Sequence, residues 1–278
     1  MAVIDKIRMA ARRADCIVGV FPDDGGRIYS PLTERYRPLG TASTGVRDVD
    51  DGLISFTNSK VENGVFISKS TGIGDTCCCV RTGYGLDGEE AHHTMLVKAY
   101  IPSTNFSPST QYHNIRLLWQ GSSKSNCTWG IGLTYSAAND NVTLGNAVFL
   151  QSPREYSQAA AGSTSCSSSM VFQKGEITDK WIVMASTVCG EKSLSRYFLN
   201  GVHVKDNDFG VRSFDYGSPK QRRTVFRNDA SVNESARKLK IGTEEPDSST
   251  IGYTGIRFAW GLVFNSILSD EEIRELSE

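Results

Sequence analysis

Long apolar runs are missing from this sequence. Ile17-Val18-Gly19-Val20-Phe21 is representative of the longest, far below the roughly 20 apolar residues that a membrane helix needs. The first residues carry basic charge, but no apolar core of signal-peptide length follows them, and Asp5 and Asp15 interrupt the stretch as a mitochondrial presequence. Synthesis in a cytoplasm with reduced thiols is therefore the expectation. Charge of one sign is also lacking. Thirty Lys and Arg stand against 31 Asp and Glu, so no strong overall field points to nucleic acid or to an anionic membrane. The seven cysteines contain no Cys-x-x-Cys pair, which removes the usual zinc and thioredoxin-like signals. Cys77-Cys78-Cys79 reads as small buried hydrophobes. Histidine is scarce, and His92, His93, His113 and His203 read as strand or surface residues. No nucleophile elbow supports Ser-His-Asp catalysis, and no EF-hand spacing or internal repeat is found.

What the sequence does hold is glycine, Ser and Thr in the pattern of turns between short strands. Residues 2–15 read as a short amphipathic helix with Ile4, Ile7, Ala11 and Ala14 on one face. Residues 22–48 read as loops. Strands are expected at Leu53–Thr57, Val65–Ile67, Thr94–Ile101 (stopped by Pro102), Ile115–Trp119 and Trp129–Leu133. Residues 134–170 read as loop-rich, with Val142–Leu144 and Ala147–Leu150 as brief strands at best. Further strands are expected at Lys180–Ser186, Ser195–Leu199, Val202–Val204 and Lys238–Gly242. Asn200-Gly201 between two of these runs is a hairpin signal, because both central residues of a type I′ turn need positive φ. Ile256, Phe258, Trp260, Leu262 and Phe264 occupy alternate positions, predicting one long strand with a buried face. Ser269 and Glu272 form a capping box, with Leu268 and Ile273 spaced as a hydrophobic staple, so a closing helix is expected. Short strands with only terminal helices point to an all-β sandwich or jelly roll.

The last third resembles the concanavalin-A-like lectin and laminin-G-like superfamily. Asp179–Ala185 is similar to that family's Trp-bearing core strand. Tyr197-Phe198-Leu199-Asn200-Gly201-Val202 is similar to its Asn-Gly hairpin, and Phe258–Ile273 to its closing strand and helix. Weaker likeness extends through His93–Pro102 and Ile115–Gly121. The resemblance implies a concanavalin-A-like jelly roll of two antiparallel sheets with short N- and C-terminal helices. The expected division is an arm over residues 1–48 and a sandwich over residues 49–278. The chain departs from simple members in its first fifty residues and in insertions near residues 136–170 and 205–236.

Candidate sites follow from both readings. Glycanases of the implied fold carry a Glu-x-Asp-x-x-Glu strand motif, which is absent here, so no catalytic residue is assigned. Laminin-G-like domains often hold one Ca²⁺ at the sandwich rim, and Asn139, Asp140, Asn141, Asp206 and Asp208 are the candidate oxygen ligands; no cofactor is required. For glycan or partner contact the candidates are Trp129, Tyr135, Tyr156, Tyr216, Arg222 and Arg223. Trp119, Trp181 and Trp260 are expected in the core. The function expected is that of a viral structural protein with a lectin-like domain (a capsid decoration, head-fibre or tail-associated component, bacteriophage above all). Its partners would be other virion proteins, further copies of itself or a host-surface glycan. The alternatives are a free extracellular lectin or adhesin and, less favoured, a glycan hydrolase or lyase.

Overall fold

The computed structural model describes residues 3–22, 28–29, 60–69, 80–81, 92–106, 112–121, 127–136, 138–151, 164–189, 194–208, 223–224, 238–240, 254–264 and 266–278. The architecture is an all-β sandwich of two antiparallel sheets with short helices. Sheet one runs β13 (Val202–Asp208), β12 (Leu194–Leu199), β11 (Trp181–Cys189), β6 (His92–Tyr100), β16 (Thr254–Phe264), β1 (Cys16–Pro22) and β2 (Ile28–Tyr29). The hairpin of β3 (Lys60–Glu62) and β4 (Val65–Lys69) joins it along β16. Sheet two runs β10 (Thr164–Gln173), β9 (Asn141–Gln151), β8 (Cys127–Ser136), β7 (Tyr112–Gly121), β15 (Lys238–Lys240) and β5 (Val80–Arg81), with β14 (Arg223–Thr224) on β9. Strand β1 lies in the stretch assigned to an arm, yet it is hydrogen-bonded to β16 through Cys16↔Phe264 and Val20↔Gly261. The expected strand at Leu53–Thr57 and the Cys77–Cys79 run lie outside the described residues.

Two apolar clusters hold this together. Between the sheets, Met95, Val97, Ala99, Ile182, Met184 and Phe258 meet Ile115, Leu117, Ile131, Leu133, Val142 and Leu144. On the outer face of sheet one, Leu96, Val183, Ala185, Trp260, Leu262 and Phe264 pack with Ile7 of α1 (Val3–Ala10) and with Ile273 and Leu276 of the closing helix, α3 (Asp270–Ser277). Between them in sequence comes the short α2 (Lys174–Ile177), which contacts β9 and β10, with Ile177 in the cluster between the sheets. Sheet one is thus covered on both faces along its middle strands. That is why Met95-Leu96-Val97 and Ile182-Val183-Met184-Ala185 are apolar without alternation.

The long row from Ile256 to Phe264 is split. A bulge between Phe258 and Trp260 switches faces, so Ile256 and Phe258 point between the sheets while Trp260, Leu262 and Phe264 point under the helices. Trp260 is buried as expected, in the outer cluster rather than between the sheets. Asn200 and Gly201 have φ of 49° and 78°, as the type I′ turn demands. A Cβ on Gly201 would come within 2.9 Å of the Arg274 Cα, so glycine also lets α3 sit on the turn. The Ser269–Glu272 capping box forms. Arg13 ties the chain's two ends together, donating to Asp15 and to Glu272 at 2.7 Å.

Three expectations are corrected. The first helix ends at Ala10, and Ala14 is exposed rather than on its buried face. Residues 134–170 include the long hairpin β9–β10, paired without a break from Asn141↔Gln173 to Leu150↔Thr164. Its Thr-Ser-Cys-Ser-Ser-Ser run lies on the strand that ends the sheet's order among the described residues. Trp181, expected in the core, is 39% exposed, because it opens β11 on the sheet's outer face, outside the cluster formed with the terminal helices.

Candidate functional site

Among the described residues, the terminal helices cover only part of sheet one's outer face. The helices lie over Phe198, Val183, Leu96, Trp260 and Phe264. Past that cover, one in-register row crosses five strands: Trp181↔Tyr100, Tyr100↔Arg257, Arg257↔Ile67 and Ile67↔Lys60. Strand alternation sets which way each residue points. In β11, Val183 and Ala185 face the helices while Ile182 and Met184 face the other sheet, so Trp181 shares the outer face. In β6 the outer face carries Leu96, Lys98 and Tyr100. In β4, Phe66 points inward and Ile67 outward.

The indole of Trp181 stands edge-on to the Tyr100 ring, with centroids 6.1 Å apart and planes at 62°. The Arg257 guanidinium lies over the opposite flank of the row, 5.0 Å from the centre of the same Tyr100 ring. Arg257, Lys98 and Lys180 make no ion pair among the described residues. Beyond Ile67, Lys60 bridges to Glu62 at 2.5 Å. That hydrogen bond, and then the nearby cations Lys60 and Arg257, hold the Glu62 carboxyl below its ordinary value. The corner leading into Trp181 is rigidly built. Asp179, at φ 57°, donates its backbone N–H to Ile101 O at 2.9 Å, and its carboxylate accepts the Ser103 N–H at 2.9 Å. On the other side Asn200 accepts the Val183 N–H and donates its own N–H to Val183 O.

The row therefore offers an indole surface, a pre-oriented guanidinium fork and flanking ammonium groups. None of these was singled out from sequence as a contact residue. The signal that existed was the outward parity of Lys98 and Tyr100, and Arg257 set between two buried residues. The cross-strand register that joins them is not a local property of the sequence.

The residues singled out beforehand behave differently. Tyr135, placed in loop-like text and expected as an exposed contact, lies in β8 and is fully buried. Its ring packs on Phe106 with centroids 5.1 Å apart, and its hydroxyl donates to Asp140 at 2.7 Å. That hydrogen bond, followed by burial, pushes the Tyr135 hydroxyl's pKa up. Asp140 also lies 3.9 Å from Lys174 Nζ, so its carboxylate has local partners. Asn139 is exposed in the same turn, and the Asn141 side-chain oxygen is buried without a partner. Asp206 accepts from Arg196 at 3.1 Å and lies 2.7 Å from His203. Its slight burial works upward, but His203 and Arg196 outweigh it and hold the carboxyl low. Arg196 also grips Asp270, which pins α3 to the hairpin. Among the described residues no group of three His, Cys, Asp or Glu side chains could hold a metal ion. Trp129 lies in β8 opposite Gln120 and Val148, and Arg223 pairs with Gln151. Their side chains, and those of Asp208, Tyr156, Tyr216 and Arg222, lie outside the described residues.

No family model matches the chain, and no curated protein matches it in sequence. Solved structures do. The binding domain of botulinum neurotoxin serotype D is 14% identical, with 97% of this chain and 52% of that one covered and a TM-score of 0.51. A structure of botulinum neurotoxin type C, whose route into cells depends on interaction with two ganglioside molecules, is 12% identical, with 97% and 52% covered and a TM-score of 0.52. The binding domain of Paraclostridial Mosquitocidal Protein 1 is 10% identical, with 95% and 52% covered and a TM-score of 0.54. This chain spans about half the length of each of these. What the likeness establishes is the fold, a β-sandwich similar to one half of these toxin binding domains.

Proposed function

We propose that the chain is a non-enzymatic recognition module that binds glycan on the open part of sheet one's outer face. The observation that carries this reading is Trp181, 39% exposed at the end of a strand whose next residues are all buried. A large indole left open beside Tyr100 and Arg257 is costly to leave in water, and it suits a ligand that is apolar on one face and polar at its rim. The fold-level likeness to binding domains supports the same class of role by analogy.

Hydrolysis is disfavoured by chemistry on this face. Glycoside cleavage needs an acid with a raised pKa opposite a second carboxylate. Glu62, the carboxylate that feels Arg257, is exposed, bridged to Lys60 and held low. The reading fits a host-attachment protein of a virus particle, the setting expected from sequence, and equally a free lectin.

The test is a glycan array with the intact chain and with Trp181→Ala, each read with and without chelator. Binding should be present in the parent, lost in the variant with the thermal midpoint lowered by only a few degrees, and indifferent to chelator, because an indole and a guanidinium need no metal to bind sugar. Unchanged binding by Trp181→Ala would place recognition elsewhere.

A further inference from the structure

We infer that this face takes a linear acidic oligosaccharide laid across the strands, with one sugar stacked on Trp181 and its carboxylate or sulfate groups held by Arg257, Lys98 and Lys60. This rests on the glycan-binding reading above and adds the ligand's charge, shape and direction.

Direction comes from register. Trp181, Tyr100, Arg257, Ile67 and Lys60 are directly paired neighbours across β11, β6, β16, β4 and β3. Four inter-strand steps of about 4.8 Å give a track of roughly 19 Å perpendicular to the strands. On one side the track is bounded by the part of the face that the terminal helices cover. A compact single sugar would use only its Trp181 end.

Charge comes from the excess of cations over carboxylates along the track. The chain as a whole has a formal charge of −1, yet among the described residues the outer-face positions along the track carry Lys98, Arg257 and Lys60 against one carboxylate, Glu62, which is bridged to Lys60. Arg257 is the most telling. Its guanidinium is stacked on Tyr100 at 5.0 Å and makes no hydrogen bond or ion pair among the described residues. A planar fork stacked on a ring, with no acceptor for its N–H donors among the described residues, is pre-organised for a planar or tetrahedral oxyanion. Lys98 is flanked in register by Val183 on one side and Trp260 on the other, so it has no carboxylate across either strand pair.

The experiment is calorimetric titration of the intact chain with polyuronate oligosaccharides of increasing length, with size-matched neutral and sulfated oligosaccharides, and with a poly-glutamate peptide. The acidic sugars should bind at least about tenfold tighter than neutral ones at low salt, with the gap narrowing as salt screens it. Their affinity should rise with length until the track is spanned, and then level off. Preference for the uronate or the sulfated series identifies the acid group, and either supports the assignment. Arg257→Gln should erase the preference for acidic sugars, bringing their affinity to the level of neutral ones of the same length. Arg257→Lys, which keeps the charge but loses the stacked fork, should restore only part of it. Lys60→Gln should weaken long oligosaccharides and leave short ones alone. Equal binding of neutral and acidic sugars overturns the inference and leaves the glycan reading standing. Length-independent affinity overturns the cross-strand placement, and peptide binding as tight as sugar binding overturns the ligand class. Failure of every sugar to bind brings down the glycan reading itself.

Discussion

Trp260→Ala and Trp181→Ala should differ severalfold in their cost, although the two indoles look alike in sequence. Trp260 is 3% exposed and is enclosed by Leu96, Val183, Phe264, Leu268 and Ile273. Its truncation removes a large apolar surface and leaves a closed cavity beneath two helices, which costs roughly 3–5 kcal/mol. Against a total stability of about 5–15 kcal/mol for a typical domain, that is a large loss. Trp181 opens onto water, so its truncation leaves no closed cavity. The main loss is the edge contact with Tyr100, about 0.5–1.5 kcal/mol. Urea denaturation followed by far-UV circular dichroism measures both, provided the slopes stay equal to that of the parent. Equal losses, or a larger loss at Trp181, would mean that Trp181 is packed rather than presented, and the proposed binding face would go with it.

Two further perturbations probe the scaffold. Gly201→Ala places a Cβ at φ 78° and 2.9 Å from the Arg274 backbone; a loss of roughly 1–3 kcal/mol is expected from the left-handed strain and the displaced helix, and a thermal midpoint at parental level would show that α3 does not rest on the turn. His93, 1% exposed with neither ring nitrogen partnered, is pushed down to about 3 by burial and, secondarily, by His92. Its native pKa lies below its unfolded value of 6.5, so the unfolded state takes up the proton first. The stabilisation is intact above about pH 6.5 and declines toward pH 3, by up to about tenfold in the folding equilibrium per pH unit. His93→Leu should flatten the denaturation profile between pH 6.5 and 5, and a profile as steep as the parent's would contradict the neutral buried ring.

Much of sheet one was legible because its signals are local. Asn200-Gly201 can hardly be anything but a tight turn, and Ser269 with Glu272 writes its own helix start. The apolar stretch after Trp181 marks a central strand whatever surrounds it. Other features depend on distant parts of the chain. The alternation from Ile256 to Phe264 predicted one buried face, but both faces of β16 are buried, so the bulge at Phe258–Trp260 could hide without breaking the pattern. The serines of β10 read as loop because the register that pairs the strand with β9 is not a local property of its sequence. Tyr135 sits beside turn-forming residues, yet its ring is claimed by Phe106 and its hydroxyl by Asp140. The site was the least legible part. Trp181 shares its outward parity with Val183, and only the reach of the terminal helices decides that one is covered and the other open.

The most direct measurement is tryptophan fluorescence of the parent and of Trp181→Phe during titration with an acidic oligosaccharide. Stacking of a sugar on the exposed indole should change the parent's emission saturably and protect it from iodide quenching, and both effects should vanish in the variant. An identical response from the two proteins would show that ligand does not meet Trp181.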